Sequence, residues 1–248
     1  MPKASGIGDN FYAGAFNISG DINSLGAISA PLATLDVTDI TQSAPERIAG
    51  LADGNISFTA LWNSDADHAV DIFRDMSRAD VQLSYFHTQV VGAPAASMVA
   101  KKLSFEPNRG ADGDLKVGVT AQANGYGLEW GKQLTPGVFT SAVNFSGTGL
   151  DTAASAAFGG QLYVHIFGLT GTDAIVSVQH SNDDGVGDAY AAVDSNSAGF
   201  TATGVGSFRT QTGRTATVKR WVRIRVTGTF TNLVIAANFV KNQSLVNF

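Results

Sequence analysis

The chain contains no cysteine. Neither a disulfide nor a thiolate metal site can form, so the fold does not depend on an oxidising compartment. Charge is sparse as well: charged residues make up 15% of the 248, against 44% apolar. That balance favours a packed core over disorder. No run approaches the roughly 18 apolar residues that a membrane helix needs. The nearest, VVGAPAASMVA at 90–100, is short and broken by Gly92 and Pro94. The first residues, MPKASGIGDNFYAGAF, lack the apolar centre of a signal peptide. The expectation is a soluble protein made in a cytoplasm, with no membrane partner.

Catalytic signatures are missing too. The four histidines, His68, His87, His165 and His180, have no zinc-site spacing, and no HExxH occurs. There is no GxSxG elbow and no phosphate-cradling glycine loop followed by lysine. His165 sits between Val164 and Ile166 in an apolar run, which reads as structural. Asp183, Asp184 and Asp188 in SNDDGVGD lack the spacing of a calcium loop and read as an acidic turn. No catalytic constellation assembles. The chain is expected to be no enzyme, with no cofactor and no metal.

What is abundant is glycine, 28 residues placed between short alternating runs. This is the composition of many strands and many turns. GNISFTALWN puts Ile56, Phe58, Ala60 and Trp62 on one face and Ser57, Thr59 and Leu61 on the other. A helix should follow, with Ser64 as N-cap, Asp67 three residues on, and Arg74 and Arg78 near its end. Ala69, Val70, Ile72, Phe73 and Met76 give it an apolar side for packing on a sheet. Strands are expected in 81–90, 95–108 and 110–131, with Leu115, Val117, Val119 and Ala121 sharing a face. The first part reads as a mostly β sandwich or half-barrel with one packed α-helix. GIGDNFYAG reads as a flexible N-terminal arm.

Residues 1–147 hold 15 acids and 9 bases; residues 148–248 hold 6 acids and 7 bases. That shift, with the small, Gly-rich NFSGTGLDTAASAAFGG at 144–160, suggests a boundary near 148. The domains are therefore read as 1–147 and 148–248. In the second, residues 159–181 read as two strands around GLTGTD, and 215–241 as two strands around TGTFTN. Val222, Ile224 and Val226 face one way; Trp221, Arg223 and Arg225 face the other. This second part reads as an antiparallel β-sandwich, Ig-like or jelly-roll.

The stretches TLDVTDITQSAPERIAGLADGNISFTALWN, DADHAVDIFRDM and KKLSFEPNRGADGDLKVGVTAQANG resemble the major tail (tail tube) proteins of bacteriophages with long non-contractile tails. The shared pattern is a VT strand end, an ER…GL.DG turn, an ISF strand, a helix and a late VTAQANG segment. It covers roughly residues 8–147. YVHIFGLTGTDAIVSVQHSNDDG and RWVRIRVTGTFTNLVIAANFVK resemble Ig-like or jelly-roll domains appended to virion proteins.

That resemblance implies a structural virion protein that self-assembles into stacked, hexameric rings, the conduit for DNA ejection. Partners would be further copies of itself, tape-measure protein, and tail terminator and initiator proteins. DNA would pass through without specific binding. The location would be the virion tail, after synthesis in the bacterial cytoplasm. The polar loop 39–54, with Thr41, Glu46 and Arg47, would reach the next ring. Asp53, Asp112 and Asp114 are the candidate lumen acids, repelling phosphates. Trp221, Arg223 and Arg225 would form an outer contact face. The alternative is a virion decoration protein or a carbohydrate-binding sandwich, with Trp221, Tyr163 or Tyr190 stacking on a cell-surface glycan.

Overall fold

Alternating apolar residues make this chain mostly β, and its sheets are antiparallel. The computed structural model describes residues 6–75, 79–194 and 199–245. The first strands are β1 (Asn10–Ala13), β2 (Phe16–Asn17), β3 (Ile22–Ser29), β4 (Leu32–Asp36), β5 (Arg47–Ala52) and β6 (Asn55–Leu61). Helix α1 (Ala69–Asp75) leads into β7 (Val81–Phe86), β8 (Pro94–Arg109), β9 (Leu115–Ala123) and β10 (Glu129–Gln133). Short strands follow: β11 (Phe139–Ser141), β12 (Phe145–Ser146) and β13 (Leu150–Asp151). The remainder are β14 (Gly160–Ser181), β15 (Ala191–Ala192), β16 (Phe200–Ala202), β17 (Gly206–Gln211) and β18 (Trp221–Lys241).

The chain divides into two compact units. One comprises Met1–Gly20, Gln82–Ser97 and Trp130–Phe248; the other comprises Asp21–Val81 and Met98–Glu129. The cut expected near 148 falls inside the first unit, where β11, β12 and β13 all pair with β18. The small Gly-rich stretch around 148 has the composition of a linker. Its backbone is instead held by short ladders, which need little side-chain signal.

The first unit is built on one long ribbon. β14 and β18 pair antiparallel from Gly160↔Lys241 to Ser181↔Trp221, with bulges near Phe167 and Thr172. GLTGTD and TGTFTN are therefore not hairpin turns. They face each other at a corner where the ribbon bends. Gly171 (φ +153°) and Gly228 (φ +138°) mark that corner. A Cβ on Gly171 would lie 2.3 Å from the Thr229 carbonyl, and one on Gly228 2.5 Å from that of Asp173. The bend folds the ribbon onto itself. Leu162, Val164 and Ile166 before it share a core with Ala174, Val176 and Val178 after it, and with Val222, Ile224, Val226, Leu233 and Ile235 of β18. β17 and β16 extend the two arms of β14, and β10 to β13 extend β18.

Residues 160–166 are buried on both faces. Their second face meets the N-terminal strand. Asn10–Ala13, expected to be a flexible arm, is a fully buried strand paired with β7. Burying Phe11 and Tyr12 outweighs the mobility that the flanking glycines suggest. Tyr12 packs on Phe86 and Phe167 with ring centroids 5.0 and 5.1 Å apart.

A polar chain runs through this layer. His165 Nδ1 lies 2.7 Å from the Gly14 carbonyl, which can only accept, so Nδ1 carries the proton. Nε2 then accepts, from Ser84 Oγ at 2.7 Å and Gln82 Nε2 at 3.1 Å. Ser84 in turn accepts from Ser97 at 2.7 Å, and Ser97 from Asn238 Nδ2 at 3.1 Å. Every bond points the same way, and the side chains of Gln82, Ser84, Ser97, His165 and Asn238 are all buried. His165 is structural, as its apolar neighbours imply.

The second unit is a four-stranded antiparallel sheet in the order β3-β6-β9-β8. Ile56, Phe58 and Ala60 of β6 are buried with Val117, Val119 and Ala121 of β9, the faces that alternation assigns. Trp62 falls just beyond β6 and is partly exposed. Ala69, Val70 and Phe73 bury α1, with Phe73 edge-on to Phe58 at 5.2 Å. The helix starts later than expected. Asp67 has φ +67°, so the chain is still turning there. Ser64 and Asp67 do not cap it. The buried Asp21 carboxylate, 48 residues away, accepts the Ala69 N–H at 2.7 Å and the His68 Nδ1–H at 2.9 Å. Sequence-local capping rules do not find a cap delivered from another strand. Met76 and Arg78, assigned to this helix, lie outside the described residues.

Two expectations follow. Replacing Gly171 or Gly228 by alanine should destabilise by about 2–4 kcal/mol in urea unfolding, because the side chain meets backbone at a left-handed φ. Burial holds the folded-state pKa of His165 at about 4, below its ordinary 6.5. The fold thus prefers neutral His165, and the unfolded chain takes up the extra proton. The stability this contributes is present above pH 6.5, is lost as pH falls towards 4, and totals about 3 kcal/mol. Urea midpoints measured across this window should fall with pH, and His165→Gln should flatten that fall. The aspartates whose pKa values lie low, such as Asp151, act only below about pH 4.

Candidate functional site

Residues 22–61 form one long hairpin in two halves. Its base, β3 with β6, belongs to the four-stranded sheet. Its outer half, β4 with β5, is a separate two-stranded ribbon that pairs with nothing else among the described residues. The hinge lies at Pro31 and Asp53, where the Asp53 N–H donates to the Pro31 carbonyl at 2.9 Å. Asp53–Gly54, expected to be a turn, is one side of this hinge.

The segment 39–54 is therefore not a polar loop. Residues 47–52 are a strand, and only 37–46 form the tip. The ribbon surface is apolar: Leu32, Leu35, Val37, Ile40, Ile48 and Leu51 are all exposed, Leu51 by 85%. The register places Leu35 opposite Ile48 on one face. The pattern was obscured because Gly50 and several alanines dilute the alternation. The tip is ordered by its own side chains. Asp36 Oδ1 accepts from the Thr38 N–H, and Asp39 Oδ1 accepts from the Thr41 N–H and hydroxyl. Thr38 Oγ1 accepts from the Glu46 N–H at 2.8 Å, closing the loop. Both aspartate carboxyls are held below the usual range, first by the threonine hydroxyls. Thr41, Glu46 and Arg47 thus lie together on the hairpin, with Arg47 opposite Asp36 in the ladder.

Two sheet edges accompany the hairpin. β3 has β6 on one side and no strand on the other, among the described residues. The far part of β8, Lys102–Arg109, has β9 on one side and likewise no strand on the other. Pro107, which cannot donate to a ladder, is typical of an edge. Leu103 on the same segment is exposed.

The structure separates the three acids named for a lumen. Asp53 accepts from the Gln122 side chain at 2.7 Å and from the Gly54 N–H, at the Asn55 end of the β6–β9 pair. Asp112 and Asp114 lie at the Leu115 end, some seven residues away, roughly 20 Å at about 3.4 Å per residue. Asp114 pairs with Lys116, which holds its carboxyl below the usual range. These acids form two groups, not one.

The face of Trp221, Arg223 and Arg225 alternates with buried Val222, Ile224 and Val226, as expected. Its cations are engaged within the unit. Arg223 lies 3.9 Å over the Tyr190 ring and donates to Gln179. Arg225 donates to Ser146, and Arg220 lies 5.8 Å from the Trp221 ring while pairing with Asp151. Tyr163 is fully buried. In the acidic turn, Asp183 accepts the Gly187 and Asp188 N–H groups, and Asp188 pairs with Lys219. No group of three or more metal-ligating residues occurs among the described residues.

No protein-family model and no curated protein matches the chain. Among solved structures it is similar to the Dit protein (gp 19.1) of SPP1, described as a paradigm of hub adsorption apparatus in Gram-positive infecting phages. Identity is 8% and the TM-score 0.33, over 94% of this chain and 99% of that one. It is also similar to chains of the phage p2 baseplate in its activated conformation. With strontium, identity is 10% and the TM-score 0.36; with calcium, 9% and 0.34; each covers 95% of this chain and 99% of that one. At such low identity and superposition, these likenesses assign no role to any residue.

Proposed function

We propose that this chain is a structural subunit of a bacteriophage tail that assembles with copies of itself, and that the assembly is a ring-built tube. One observation carries the proposal: a four-stranded antiparallel sheet in which β3 and the Lys102–Arg109 part of β8 have no outer partner strand among the described residues, and from which a hairpin with exposed leucines and isoleucines extends. Open edges and exposed apolar ribbons invite aggregation unless a partner covers them.

The parity of the sheet suits a ring. With four antiparallel strands, the outer two, β3 and β8, run in opposite directions. Rotating one copy about an axis brings its β3 beside the β8 of the next, in an antiparallel seam. Repetition closes a barrel and leaves no edge. The hairpin of each ring then reaches an adjoining ring, with Ile40 at its tip. The tail tube resemblance of residues 8–147 supports the same assignment. On this assignment residues 148–248 face the outside of the tube, and tape-measure, terminator and initiator proteins meet its ends. DNA passes through without specific contacts, past acids including those at Asp112 and Asp114.

Negative-stain electron microscopy and sedimentation at rising concentration test this. Rings that stack into hollow tubes of constant diameter are the expected result. Single closed rings without tubes would retain the ring and remove the tube. A monomer at all concentrations, even beside other virion proteins, would remove both. Replacing residues 37–46 by a two-residue Asn-Gly turn should leave the unfolding free energy within about 0.5 kcal/mol, since the tip is exposed. Stacking should be lost while ring closure persists.

A further inference from the structure

The aromatic residues expected to stack on a glycan are all occupied within the fold. Tyr163 is buried, Tyr190 is covered by Arg223, and Trp221 lies beside Arg220. Trp130 is different. It is half exposed, at 49%, and it lines a groove of about 400 Å³ in the first unit. That volume falls in the usual range for small-molecule sites, about 300–1,000 Å³.

The groove has three parts. Val222, Phe239 and Leu150 give it an apolar floor, Val222 and Phe239 being buried. Trp130 offers a flat ring, held edge-on by Tyr85 at a centroid distance of 6.5 Å. The polar residues are Lys132, Asp151, Thr152, Lys241 and Gln243. Asp151 does not have to be immobilised by a ligand. Arg220 grips both of its oxygens and the Ala153 N–H fixes it further, which leaves capacity for another donor. Arg220 also holds its carboxyl down to about 2, so it stays an acceptor at neutral pH. Lys241 is similarly anchored, donating to Thr152 and to the Ala154 carbonyl.

The rim therefore carries charges of both signs, with donors and a fixed acceptor around an aromatic platform. An anion would meet Asp151, and a cation would meet Lys132. A neutral polyhydroxyl ring satisfies both: its C–H face stacks on indole, and its hydroxyls both donate and accept. Ordered polar groups cost little entropy on binding. We infer that the Trp130 groove is a binding site for a neutral saccharide, with Trp130 as the stacking platform and Asp151, Lys132 and Gln243 as hydroxyl partners. The site does not require ring formation, so the unassembled chain suffices to test it.

The test is ligand-observed saturation-transfer NMR and tryptophan fluorescence on the full chain. The probes are glucose, galactose, N-acetylglucosamine, maltose, lactose and chitobiose. At least one should bind saturably, with Kd in the range of about 0.1–5 mM, the weak end of the affinity scale. Trp130→Ala should weaken it more than tenfold, while Trp130→Phe, which keeps a ring, should stay within about tenfold and Trp221→Ala should match the native chain. Far-UV circular dichroism of each variant checks that it is folded. No binding by any of the six sugars would overturn the inference. So would binding unchanged in Trp130→Ala, or lost equally in Trp221→Ala.

Discussion

Everything in the larger unit hangs on the pairing of β14 with β18. This single ladder supplies the central strands of both arms of the sandwich, and the shorter strands attach to its flanks. Its paired ends are 40 residues apart at Ser181↔Trp221 and 81 at Gly160↔Lys241, so the ladder forms only after long loops have closed. Such contacts are entropically slow to make, and the side chains buried by the fold-over at Gly171 and Gly228 must compensate. The corner is where the requirement is sharpest. The two paired strands meet there at backbone contact, and a Cβ on either glycine would clash with the facing carbonyl.

The smaller unit meets an opposite constraint. Its four strands pair within the sheet and leave β3 and the far part of β8 without an outer partner strand among the described residues. Its long hairpin carries leucine and isoleucine into solvent on strands that pair with no other strand among the described residues. A β-ribbon of two strands is marginal by itself. The tip is stiffened by Asx-type bonds from Asp36 and Asp39, which order the backbone without needing a core. The proposed assembly with further copies would cover both features with the same surfaces. An aromatic groove lies away from the ribbon corner, where Trp130 is half exposed, while Tyr163 is buried and Tyr190 and Trp221 lie against arginines.

Much of this was legible residue by residue. The alternation in GNISFTALWN and DLKVGVTAQA assigned buried and exposed faces correctly except at the end positions Trp62 and Leu115, which are exposed, because period two is a local property of the strand. The helix on the sheet followed from Ala69, Val70 and Phe73. The structural role of His165 followed from its apolar neighbours. Three features were not legible. The corner glycines looked like turn residues, since a turn and a bulged bend draw on the same small residues. The cap of α1 comes from Asp21, which no local rule reaches. The apolar character of the hairpin was hidden by its polar tip.

The sequence alone determined the class of fold, the absence of disulfide chemistry and which side of each strand is apolar. These depend on composition and on neighbours one to four residues apart. Only the tertiary structure decided which strands pair, and therefore where the units divide. It also decided which of the charged and aromatic residues remain available. Arg223 and Tyr190 consume one another, while Trp130 stays open. Those outcomes depend on residues 30 to 150 positions apart meeting in space, and a one-dimensional pattern carries no record of that distance.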